Sequence, residues 1–331
     1  MDDADGDHKP LSLPPEQYTI GWICALPSEL RAARAMLDQE HEDLPHQSKN
    51  DDNSYILGSI KQHNIAMPVL PQYGTSSATS TVKSMKSTFP NLRFVLMVGI
   101  GGGIPSKTND IRLGDVVVSL PDGQGGGVIQ YDLGREVDGE FHRVGVMNMP
   151  PKLLLSTVNN LRSESSLGKT LSGYVEIAAG KSEEPEEWTY LGTGQDQLFQ
   201  PDYPHIPGED DCENCCDNAK PENLVNRRPR KATCPRLHYG NIGSGNTVMK
   251  TALKRDLIAK KENIICFDME AAGLMNEFPC LVIRGISDYA DSHKNGKWQP
   301  YAAVAAAAYA RRLLLKISPQ AVEQQKTIEG E

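Results

Sequence analysis

Nowhere does this chain of 331 residues carry the run of roughly 18 apolar residues that a membrane-crossing helix needs. Its first seven residues are acidic, where a secretion leader would be basic and then apolar. Both absences point to a soluble, intracellular protein of the cytoplasm with no membrane partner. Positive charge is also scarce, with 34 Lys and Arg against 43 Asp and Glu and a formal net charge of -9. Binding to phosphate backbones depends on clustered Lys and Arg, so nucleic acid is not an expected partner. The cysteines number seven, an odd count that does not suggest a disulfide framework. Cys24, Cys266 and Cys280 lie in apolar runs and read as core residues. No internal repeat is evident.

What is present is an alternation of strand and helix signals. Residues 18–24, 55–60, 65–70, 94–98, 116–119 and 281–283 read as strands, and residues 76–89, 153–161 and 301–317 as helices. A further helix is expected to start at Ser28 as N-cap and run to about Leu37. The alternation predicts an α/β protein, a three-layer α/β/α arrangement around a central mixed sheet. One domain is expected over residues 18–317, with disordered ends at 1–17 and 318–331. Residues 180–236 interrupt that domain with a segment too long for an ordinary connection. Its aromatic residues, Trp188, Tyr190, Phe199 and Tyr203, favour an ordered lid or an oligomer contact over disorder.

Chemistry concentrates near the C-terminus. The run Cys280-Leu281-Val282-Ile283 reads as a buried strand that breaks at Gly285 and Ser287, just before Asp288. In open α/β sheets ligands bind outside such strand ends, which favours Asp288 and, beside it, Glu270. Phe267, Met269-Glu270 and Ser287-Asp288 carry a resemblance to the purine nucleoside phosphorylase and nucleosidase superfamily, strongest to its methylthioadenosine nucleosidase-like branch. Two further segments match in order: Ile20 to Leu30 with Glu29, and the glycine turn containing Gly101 and Gly102 followed by Leu113-Gly114-Asp115. The resemblance spans roughly residues 18 to 317. It implies that Glu270 and Met269 hold the ribose, that Asp288 protonates the leaving purine and that Glu29 activates water. It also adds Ser287, Phe267, Gly101, Gly102, Ser244, Gly245 and Asn246 to the substrate site, and implies a homodimer.

Cleaving a purine N-glycosidic bond builds positive charge on the sugar and negative charge on the base, and these acids can meet both demands. The expected activity is hydrolysis of an adenine nucleotide or nucleoside, namely ATP, AMP or adenosine. Phosphorylases of the resembled superfamily hold phosphate with arginines, and the corresponding places here, Met97, Ile100 and residues 25–28, offer no positive charge. Water is therefore favoured over phosphate as nucleophile. A phosphate-dependent phosphorylase and a silent nucleotide-binding sensor module are the alternatives. Phosphates on the substrate could meet the glycine loop Gly125, Gly126, Gly127 or the basic run Arg227, Arg228, Arg230, Lys231. Each also reads as a plain flexible or solvated loop. Cys212, Cys215, Cys216 and Cys234 show a single Cys-x2-Cys pair without a second, which favours reduced thiols over structural zinc. No metal and no cofactor are expected.

Overall fold

The protein is described by a computed structural model that places residues 11–123, 125–206, 212, 216, 220–230 and 233–328. Its main sheet contains ten strands among the described residues. They are β1 (Ile20–Ile23), β2 (Gln39–Glu40), β3 (Tyr55–Ile60), β4 (His63–Pro68), β5 (Phe94–Gly103), β6 (Val116–Ser119), β7 (Val128–Gln130), β10 (Leu237–Ser244), β11 (Ile264–Asp268) and β12 (Cys280–Asp288). A separate hairpin joins β8 (Gly134–Val137) to β9 (Glu140–Arg143). The helices are α1 (Pro27–Ala35), α2 (Thr75–Thr88), α3 (Lys152–Arg162), α4 (Leu167–Ala179), α5 (Ala252–Glu262), α6 (Ala272–Met275), α7 (Gln299–Leu314) and α8 (Pro319–Glu323). The sheet is mixed, as its sequence pattern predicts, and follows the order β11-β10-β6-β12-β5-β1-β4-β3-β2, with β7 beside β10.

Two long strands position the site. The sequence pattern ends β5 before its glycines, but the strand continues through Gly101, Gly102 and Gly103, and β12 pairs with it in parallel along nearly its whole length. The end of β5 then pairs antiparallel with β11, Cys266 opposite Gly103 and Phe267 opposite Gly102. The sheet therefore curls until β11 meets β5, rather than lying open. A side chain at Gly102 would stand 2.8 Å from the Ala290 Cβ and 2.9 Å from an Asp288 oxygen, so this crossing needs glycine for close approach. The Ala-rich face of α7 serves the same end: Gly285 of β12 packs directly on the main chain of Ala302.

Some sequence expectations are corrected. Ser28 lies inside α1 and does not cap it; the helix follows Leu26, with Pro27 at its first position. Residues 11–17 and 318–328 are not the disordered ends their composition suggests. Leu11 bridges His41, residues 15–17 form a single 3-10 turn, and Val322 and Ile328 of the tail are buried, with the Ile328 amide donating to the Leu92 carbonyl at 2.8 Å. Burial of a few apolar side chains outweighs local composition at both ends. In the insertion, Trp188 joins the main core and Phe199 packs with Cys212 and Cys216.

Candidate active site

The site grows from four elements that end on one cleft of about 180 Å³. Glu29, in the first turn of α1, is buried and saturated by main-chain donors. The amides of Ala25 and Leu26 donate to its Oε2 at 2.7 and 3.0 Å, and the Ile100 amide of β5 donates to Oε1 at 2.8 Å. By reaching back to Leu26 the carboxylate supplies half of a capping box, which is why Ser28 is not needed as a cap. Burial raises the Glu29 pKa, against the opposing pull of Arg284 and of these amides.

Arg284 is the residue that sequence reasoning misses. It is fully buried in the middle of β12. Its Nε and Nη2 donate to Asp268 Oδ2 at 3.1 and 2.6 Å, and Nη2 also donates to Glu270 Oε2 at 3.2 Å. Burial disfavours its charge, but Asp268, Glu270 and Glu29 outweigh that and bind its proton more tightly than usual. Nη1 has no acceptor among the described residues and stands beside Gly99 and the Glu29 carboxylate. A Cβ at Gly99 would lie 2.6 Å from Nη1, so this position also requires glycine.

Glu270 follows β11 and accepts from the Gly74 amide at 3.3 Å as well as from Arg284. Burial pushes its pKa up to about 7; Arg284 opposes the rise, while Asp268 and Glu29 add to it. Asp288 closes β12. Its Oδ2 accepts from Ser287 Oγ at 3.0 Å and pairs with Lys294 Nζ at 3.0 Å, and its Oδ1 accepts from the Ala290 amide at 2.9 Å. Ala290 adopts a left-handed φ of 52°.

The cleft thus gathers Glu29, Gly101, Gly102, Phe267, Met269, Glu270, Ser287 and Asp288 from the expected set. It adds Tyr73, Val248, Met249 and Lys294. Three expected residues do not line it. Ser244 accepts from the Ala272 amide at 2.9 Å, Gly245 packs on Tyr131, and Asn246 accepts from the Thr75 amide at 3.1 Å at the start of α2.

The expected phosphate ligands are elsewhere. Gly125 donates to Asp122 at 3.0 Å, Gly126 packs on the Met147 and Asn148 carbonyls, and the Gly127 carbonyl accepts from Ile242. An anion would meet oxygens there. Arg230 is buried against Asp115 at 2.6 Å, and Arg227 is held by Asp196 at 3.1 Å and by the Tyr289 hydroxyl. Both line a different cavity with Arg112, whose Nη2 donates to the Arg228 carbonyl at 2.6 Å. A partnered, buried guanidinium of this kind holds the insertion to the domain. Lys231 and Cys215 lie outside the described residues, and Cys234 sits apart from Cys212 and Cys216, against Gly168.

This architecture is the nucleoside phosphorylase/nucleosidase fold. A futalosine hydrolase of Helicobacter pylori aligns with a TM-score of 0.55 at 16% identity, over 91% of this chain and 99% of that one. The 5'-methylthioadenosine/S-adenosylhomocysteine nucleosidase of Neisseria meningitidis, solved with methylthio-immucillin-A, aligns at 0.57 with 15% identity, over 90% and 99%. A point mutant of the Helicobacter pylori nucleosidase MTAN, solved with 5'-methylthioadenosine in its active site, aligns at 0.57 and 14% identity, over 91% and 99%. In sequence the chain is 52% identical over 317 residues to a nucleotide-binding leucine-rich repeat (NLR)-like protein of Hyaloscypha variabilis, covering 96% of this chain. It spans only 31% of that relative's length. No family model matches.

Proposed function

We propose that this chain is a purine N-glycosidase that hydrolyses the bond between adenine and ribose in adenine nucleosides and their 5'-phosphates. The observation that carries the reading is the convergence of Glu29, Glu270 and Asp288 on one cleft, with the buried Arg284 behind them. Asp288, with Ser287 and Lys294 on its carboxylate, is the group that delivers a proton to the departing base. Glu270, next to Met269, accepts hydrogen bonds from the ribose hydroxyls and faces the positive charge that develops on the sugar. Glu29, its pKa raised by burial, is the general base for the attacking water. The named substrates of a structural neighbour, 5'-methylthioadenosine and S-adenosylhomocysteine, support an adenine base.

Charge favours water over phosphate as nucleophile. Asp268, Glu270 and Glu29 surround Arg284, so the arginine is already over-compensated by carboxylates. A phosphate dianion placed there would lack a cation of its own. We also propose a homodimer, supported by the exposure of Tyr73 and Val248 on the cleft wall.

A second reading, a nucleotide-binding module without turnover, is favoured by the NLR-like name of the sequence relative. One experiment separates these readings. The purified protein is incubated with ATP, AMP or adenosine, with and without phosphate, and the products are resolved by chromatography. Adenine plus a free or phosphorylated ribose in the absence of phosphate supports the hydrolase. Adenine formed only with phosphate makes it a phosphorylase, and thermal protection by ATP without adenine release makes it the silent module.

A further inference from the structure

The insertion meets the turn after Asp288 at a cluster that the proposed reaction does not use. One ligand atom each of His205, Cys212 and Cys216 lies within 4.8 Å of the others. His293 Nδ1 stands 3.6 Å from Cys212 Sγ and 3.5 Å from Cys216 Sγ. The His293 Nε2 is 2.9 Å from the Tyr203 carbonyl oxygen. A carbonyl can only accept, so Nε2 carries the proton and Nδ1 turns its lone pair toward the two sulfurs. Two sulfurs thus sit at the same range from one lone pair, and Cys212 Sγ is also 3.8 Å from the His293 carbonyl oxygen. A tetrahedral zinc ion with sulfur at about 2.3 Å and nitrogen at about 2.0–2.1 Å has sulfur–nitrogen edges of about 3.6 Å. Both observed separations match that edge.

We propose that His205, Cys212, Cys216 and His293 form a structural zinc site. Two thiolates and two imidazoles are a donor set suited to tetrahedral Zn²⁺. Their charge sums to zero with the ion, which suits a site where Cys212, Cys216 and His293 are all buried. The surroundings orient the ligands. Phe199 stacks on the His293 ring at 3.7 Å, the Tyr203 carbonyl fixes its tautomer, and the His205 amide donates to Ser292 Oγ at 2.9 Å. On binding, two S–H bonds break, two Zn–S bonds form and two protons leave to solvent, with no redox change. Four protein ligands leave no open position for chemistry, so the ion is a staple. It ties the insertion to the turn whose next residue, Lys294, pairs with Asp288.

Metal analysis of the full chain, purified under reducing conditions without chelator, tests the site directly. About one zinc per chain is expected. Cobalt(II) exchanged into the same protein should give the visible bands and thiolate charge-transfer absorption of a tetrahedral thiolate site. Cys212→Ser and Cys216→Ser should reduce metal to background, while Cys234→Ser should keep it. If the first two variants do not fold, the cobalt spectrum of the unaltered protein, and a melting temperature that falls with chelator and returns with added zinc, decide the matter. Reduced protein that takes up neither zinc nor cobalt overturns the proposal, as does a Cys212→Ser variant that retains a full equivalent of zinc.

Discussion

Glu270→Gln separates the catalytic and structural consequences of one buried charge. Burial lifts the Glu270 pKa to about 7, whereas an unfolded glutamate titrates at about 4.3. A folded acid whose pKa lies above its unfolded value keeps its proton after the unfolded chain has released it. Stability therefore falls as pH rises from about 4.3 to 7 and then levels off. Each pH unit costs about 1.4 kcal/mol, so the full loss is about 3–4 kcal/mol. Glutamine does not titrate, and groups that titrate alike in both proteins cancel when the two profiles are subtracted. The variant should thus gain about 3 kcal/mol on the unaltered protein between about pH 4.5 and 8. Adenine release should fall by roughly 10²-fold or more in the same protein. Urea unfolding followed by tryptophan fluorescence reads the stability, since Trp22, Trp188 and Trp298 are all buried. Parallel stability profiles would refute the raised pKa, and normal turnover would remove Glu270 from the ribose site.

Three other substitutions address the remaining assignments. Asp288→Asn keeps one oxygen for the Ala290 amide and turns its Nδ2 toward Ser287 Oγ, which can accept instead, but it cannot donate as an acid, so turnover should drop about 10²–10⁴-fold in protein that still folds; unaltered turnover in folded protein removes Asp288 from the mechanism. Gly99→Ala forces a methyl toward Arg284 Nη1 and the Glu29 carboxylate, and turnover should fall at least about tenfold while KM for adenosine changes little; single-substrate kinetics check this. Arg230→Ala removes one partner of the buried Asp115 carboxylate, which keeps His238 Nε2 and the Arg112 and Arg236 amides at 2.9 Å, and should cost about 1–3 kcal/mol in urea unfolding. A rise in KM for ATP over AMP without that loss would return Arg230 to a phosphate-binding role.

Much of the fold is legible because buried strands announce themselves as short β-branched runs. The strands Val116–Ser119 and Tyr55–Ile60 match their sequence-derived ranges to the residue. The helices that escape such reading have weaker patterns. In α5 (Ala252–Glu262) the buried face holds only Ala252, Arg255 and Ala259 while Leu253 and Leu257 are exposed, so no apolar stripe marks it. The end of β5 escapes for a different reason. Glycine ordinarily argues against a strand, and tertiary pairing with β12 and β11 explains why three glycines continue one here.

The acids of the cleft can be found from local motifs, but their counter-charge cannot be found by looking for arginines near the glycine turn. Arg284 carries its own signal: a charged residue in the apolar run from Cys280 to Ile286 must be buried on a central strand, and a buried guanidinium demands carboxylates. Asp268 and Glu270, in a neighbouring motif, are available to supply them. The exposed-looking basic run at residues 227–231 misleads for the converse reason. Clustered arginines on a loop advertise an anion site, yet Asp115 and Asp196 satisfy Arg230 and Arg227 from within the domain. Asp115 lies in the very Leu-Gly-Asp segment that the sequence marks only as following the glycine turn. Charge alone therefore cannot say whether a guanidinium faces a ligand or its own fold. The position of the acid it must neutralise decides that, and here the acids at 115, 196, 268 and 270 assign Arg227, Arg230 and Arg284 to the protein itself.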